Sequence, residues 1–196
     1  MNEQFSESSQ GSGPVHTVLR CIVCTGRAAA WLLMPILVLV LIGVALSAAK
    51  VGTIMAWDSD MFLLGSKLTL ASIGDLQWHL FGIMLMLTLA GALVSDSHVR
   101  VDLLRQHMSK RTRGLVDLVG HLVFLLPFAT LLAWHGFDFA LRAFNLGEGS
   151  NYDGLYDRFL LKSFIPIGFS LLAVAGVGLA VVRLREVLQK KKVDHD

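Results

Sequence analysis

Four stretches of this chain, residues 28–49, 76–94, 118–137 and 164–182, contain no aspartate, glutamate, lysine or arginine. The first and last hold no ionisable group of any kind, whereas the second contains His79 and the third His121 and His135. A hydrocarbon core roughly 30 Å thick needs about 20 residues of helix to cross it. A helix also satisfies its own backbone hydrogen bonds where no water can do so. The stretches therefore predict four membrane-spanning helices, over about 28–49, 76–94, 115–137 and 164–182. Buried helices of a soluble bundle would each keep a polar stripe, and these do not. Composition agrees, because 16% of the residues are charged, against roughly a quarter in a soluble domain. An uncleaved first helix is expected, because a signal peptide's apolar core runs about 7–15 residues and would not follow so long a polar segment.

The connecting segments differ in charge, and lysine and arginine set orientation. The N-terminal segment, the loop 95–117 and the C-terminal segment hold twelve of the 17 lysines and arginines, and loops 50–75 and 138–163 hold five. Both termini are therefore expected in the cytoplasm. The expected fold is an all-α membrane protein with four transmembrane helices and interfacial helices in its loops. Residues 1–14, rich in Ser, Gly, Gln and Glu, are expected to be a disordered tail. Residues 15–186 form the expected membrane domain, and 187–196 a basic tail. Membrane lipid is the natural partner of the basic residues, so the net charge of +2 requires no nucleic acid.

Within this frame the loops carry local expectations. Residues 15–27 mix apolar and basic side chains and suit the inner membrane interface. In loop 50–75, Asp58 or Ser59 can cap a short helix carrying Met61, Phe62 and Leu64. Trp57 and Trp78 are placed as interfacial anchors, and Asp75 as the N-cap of the second helix. Loop 138–163 contains four acids and three bases in 26 residues. Loops this long are commonly functional, so it reads either as a solvated connector or as a docking surface for a soluble partner. Asp58, Glu148, Ser150, Arg158 and Lys162 are the candidate docking residues.

Several constellations invite a chemical reading. Cys21 and Cys24 supply two of the four ligands a structural zinc needs, with no second pair; they read as packing residues. The stretch SDSHVRVDLL, residues 95–104, brings His98, Arg100 and Asp102 together. It lacks the strand-to-helix elbow of a Ser-His-Asp site and offers a metal only His98 and Asp102. As surface structure it is coherent: Ser95 and Asp96 end the second helix, and a short helix starts near Val101. Arg100 can reach a lipid phosphate or Asp96, and Asp102 can pair with Arg105. His121 and His135 lie about 40° apart around one helix. With His79 at the outer end of the second helix and His98 beyond its inner end, they define the alternative reading, a haem-binding anchor of a redox enzyme. Ion and solute paths need ionisable groups at mid-membrane, and none lies deep in these helices. Small residues instead suit close packing, as at Gly43 with Ser47 and Gly176 with Ala180. No catalytic residue, metal site or cofactor is expected; the chain reads as a scaffold.

The run His98-Val99-Arg100-Val101-Asp102 after the second helix carries a family resemblance. So do Leu76-Gln77-Trp78-His79-Leu80-Phe81-Gly82, Lys162 with Ile165-Pro166-Ile167-Gly168-Phe169, and the Glu-x-Ser of Glu148 and Ser150. Over roughly residues 25–185 the chain resembles the DctQ family, the small membrane subunit of tripartite ATP-independent periplasmic (TRAP) transporters. It departs at Leu155-Tyr156, where many relatives have Leu-Pro. The resemblance implies an accessory subunit in the bacterial inner membrane, partnered by a large elevator-type permease subunit and a periplasmic binding protein. It also implies sodium-coupled uptake of an organic acid or similar solute. Gln77, Trp78, His98, Arg100 and Asp102 are the family-motif residues and are expected to be structural.

Overall fold

The computed structural model describes residues 13–96, 108–150, 152 and 154–193. Helix α1, Pro14–Ala30, runs almost directly into α2, Leu33–Ala48. The break between them follows from Pro35, which has no N–H for the carbonyl of Trp31; Met34 donates to that carbonyl instead, at 3.1 Å. A hairpin of β1, Thr53–Met61, and β2, Gly65–Thr69, precedes α3, Leu70–Val94. Helix α4, Lys110–Val119, passes through a π-helical turn, Gly120–Leu125, into α5, Leu126–Asn145. Pro127 explains this turn as well: beside it Leu126 N–H reaches back five residues to His121, a wide turn that absorbs the missing donor. Helix α6 spans Phe159–Val193.

Four helical segments are long and apolar enough to cross a membrane: Pro14–Ala48, Leu70–Val94, Thr112–Asn145 and Phe159–Arg185. Four helices that could span a membrane are therefore present where four were expected. Two expectations for residues 50–75, a short helix in an otherwise all-α chain and Asp75 as an N-cap, are overturned. Loop 50–75 forms an antiparallel hairpin, with Asp58 and Ser59 inside β1. β-Branched Thr53 and Ile54 suit a strand, and the Trp57 indole ties the two strands by donating to the Gly65 carbonyl at 2.6 Å. Asp75 is not an N-cap either. Thr69 caps α3, in a reciprocal arrangement with Ser72, so the helix starts before Asp75.

Close contacts give the helix directions. Gly26 of α1 lies against Gly91 of α3, and Gly43 of α2 against Gln77, so the first span and α3 are antiparallel. Gly136 meets Pro166 and Gly176 meets Leu125, which makes α5 and α6 antiparallel. Gly82 meets Leu161 and Gly168 meets Met86, so α3 and α6 run parallel and begin at the same end of the bundle. The core joins Ile22, Ala90, Ala129, Leu172 and Ala175. Small residues at these crossings let backbones approach: a Cβ on Gly168 would lie 2.8 Å from the Met86 carbonyl oxygen. Of the two expected small-residue pairs, Gly176 and Ala180 both pack inside the bundle, whereas Ser47 is exposed beside Gly43.

Residues 15–27 lie within helix α1. Helix α1 buries Leu19, Ile22, Val23, Gly26 and Ala29 by packing on α3 and α6. Cys21 and Cys24 occupy its other face and are exposed, contrary to a packing role within this chain. Helix α2 contrasts with α1: it packs against α3 yet buries none of its side chains.

Candidate functional site

The end of the bundle where α3 and α6 begin carries the hairpin and the segment between α5 and α6. Asp75, on the sixth residue of α3, is the centre of this region. Its Oδ2 accepts from the Leu155 backbone N–H at 3.1 Å and from Arg158 Nη2 at 3.1 Å. The Ser150 side chain lies on the same side of Gly154 as this carboxylate, where a Cβ on Gly154 would meet Ser150 Oγ at 2.6 Å. The fit is close: a Cβ on Gly154 would stand 2.1 Å from Asp75 Oδ2. Ser150 N–H in turn donates to the Leu155 carbonyl at 2.9 Å, closing the segment on itself.

Beyond Asp75 the bonds reach both neighbours. The Arg158 backbone N–H donates to the Glu148 carbonyl at 2.9 Å. The Glu148 carboxylate pairs with Lys162, whose Nζ lies 3.9 Å from the centroid of the Phe139 ring. On the hairpin side, Tyr156 N–H donates to the Leu63 carbonyl at 2.8 Å, and Leu63 N–H approaches the Asp157 carboxylate at 3.4 Å. The Tyr156 ring closes over Gly65 so tightly that a Cβ there would lie 2.2 Å from it. Gly65 has φ +63°, a left-handed conformation that favours glycine. Leu63 and Asp157 also hold left-handed conformations, with φ of 71° and 53°.

Four of the five candidate docking residues, Glu148, Ser150, Arg158 and Lys162, are thus brought together. They bond to one another or lie against Asp75, although Arg158 Nε is buried without a hydrogen-bond partner; their chemistry is to shape a surface. Asp58 lies exposed on β1, outside this set of bonds. Phe62 and Tyr152, 67% and 84% exposed, project from the two joined segments. Trp57 is half-buried, while Trp78 is 70% exposed, edge-on to Phe81. Gln77 donates from Nε2 to the Leu39 carbonyl at 2.9 Å, tying α3 to α2. His98, Arg100 and Asp102, and the helix expected from Val101, fall outside the described residues; α3 does end at Val94, with Ser95 as its C-cap.

The histidines of the haem reading differ in setting. His79 is buried with Nδ1 2.6 Å from the Asp75 carbonyl. His121 Nδ1 stands 2.5 Å from the Asp117 carbonyl, and His135 is exposed. Among the described residues no three His, Cys, Asp or Glu side chains converge as metal ligands would. Sequence reasoning missed Asp75 as an organiser and Tyr156 and Leu63 as links. The available signal for Asp75 was a lone carboxylate beside a charge-free stretch.

Comparison with known proteins gives one match. The family model for tripartite ATP-independent periplasmic transporters, DctQ component, covers residues 61–186, from the end of β1 into α6. No curated protein and no solved structure matches the chain.

Proposed function

The chain belongs to the DctQ component family of TRAP transporters, and from that membership we propose that it braces the large permease subunit and offers the binding protein a docking surface. Family membership makes it a small permease subunit, working with the other transporter components in a membrane, and not an enzyme. It also removes the basis for the redox-anchor alternative.

The distribution of charge is what carries the bracing role. Residues 28–49, 76–94, 118–137 and 164–182 hold no acid, lysine or arginine, and transport paths rely on such groups at mid-membrane. Solute and ion would then pass through the larger partner. Deleting this chain from an otherwise intact transporter should abolish or strongly reduce uptake of the solute that the binding protein carries. Undiminished uptake would remove the bracing role.

The finer reading places the chain in the bacterial inner membrane, with residues 15–186 as its membrane domain between two short tails. Both termini lie in the cytoplasm, because lysine and arginine are concentrated in the segments on that side. The hairpin and the segment after α5 then face the periplasm, where a soluble binding protein can reach them. Transport is sodium-coupled uptake of an organic acid or similar solute. In the inner loop, His98, Arg100 and Asp102 serve structure by engaging lipid headgroups, neighbouring residues or the permease.

A further inference from the structure

Asp75 bonds to Leu155 and Arg158, neither of them in the hairpin, yet the hairpin tip hangs from bonds that begin at its carboxylate. Leu155 and Arg158 are held at opposite ends of a four-residue clasp. Between them, Tyr156 and Asp157 grip Leu63 from both sides, one taking its carbonyl and the other its N–H. Both Leu63 and Asp157 sit in left-handed backbone conformations, which non-glycine residues keep only where the surroundings over-determine them. Asp75 supplies that determination: its charge holds the Arg158 guanidinium, and its oxygen holds the backbone that leads to Tyr156.

We propose that Asp75 is a positioning residue: through the 155–158 clasp it fixes the hairpin and the α5–α6 segment as one body, on which the soluble binding protein docks. The docking half of this statement rests on the proposed function above. Asparagine at this position keeps the size and one acceptor oxygen but removes the charge that the two donors share. The clasp then opens, Leu63 relaxes, and the hairpin tip moves independently of α6.

The test uses this chain co-purified with its large permease partner in lipid nanodiscs, as wild type and as Asp75→Asn. Hydrogen–deuterium exchange is followed in peptides covering 61–65 and 150–158, with a peptide at the hairpin base as an internal reference. There Leu70 N–H donates to the Gly52 carbonyl at 2.9 Å, independently of the clasp. Association of the transporter's own substrate-binding protein with the same nanodiscs is measured in parallel. Exchange about tenfold faster at both clasp peptides, with the hairpin base unchanged, is expected. Binding-protein affinity should fall at least fivefold while the permease partner still co-purifies.

Unchanged exchange at 61–65 overturns the positioning role, even if affinity falls. Faster exchange with undiminished affinity leaves the clasp intact as a finding and overturns docking on this surface. Should Asp75→Asn fail to assemble, Arg158→Gln removes the same ion pair from the other side and carries the same expectations.

Discussion

Tyr156 shows how much a single position can decide. Its backbone N–H and its ring both serve the hairpin, the first at Leu63 and the second over Gly65. Replacing it with proline removes the donor and the ring together. Tyr156→Pro should lower stability by about 1–3 kcal/mol, the cost of leaving a partly buried carbonyl unpaired, whereas Tyr156→Phe should be close to neutral. Thermal unfolding of the detergent-solubilised chain separates the two. Gly154→Ala should be destabilising by about 1–3 kcal/mol in the same assay, because the added Cβ would stand 2.1 Å from Asp75 Oδ2 and overpacking forces the backbone away. Glu148, Ser150, Arg158 and Lys162 were legible as a group because charges cluster in one loop between apolar stretches. The partner of Arg158 was not legible. It lies 83 residues earlier, and local pattern carries no information about which distant helix turn comes alongside.

At the scale of elements, the helices were readable for a reason the hairpin does not share. A charge-free stretch of about 20 residues has one stable form in lipid. Loop 50–75 lies outside that constraint, and Met61, Phe62 and Leu64 suit a short helix as well as a strand end and turn. Backbone conformation decided it, with left-handed Leu63 and Gly65 turning the chain and Trp57 bonding across the strands. Helix packing was readable only as a tendency towards small residues; which glycine meets which backbone required the fold. Gly168→Ala should destabilise by about 1–3 kcal/mol, since α3 and α6 must separate to admit the methyl group. A Cβ at Gly52 would meet nothing within 4 Å, so Gly52→Ala should stay within about 0.5 kcal/mol. Chemical denaturation of the two variants side by side tests the contrast.

For the whole molecule, orientation is a matter of charge between spans and not of packing. Neutralising Arg100, Arg105, Lys110, Arg111 and Arg113 together should weaken or scramble insertion, because they are the most basic internal segment. Reporter fusions at the hairpin and the C-terminus read this directly; an unaltered pattern would count against the positive-inside argument. The parallel pairing of α3 and α6 has a consequence for biosynthesis. The Asp75 carboxylate is synthesised long before Arg158, and the 83 residues between them take roughly 4–17 s to make at about 5–20 residues per second. The clasp can close only once the chain has been built beyond Arg158. Until that moment the hairpin waits with one side of its lock missing, so a ribosome stalled after α5 leaves behind a subunit whose hairpin was never fastened.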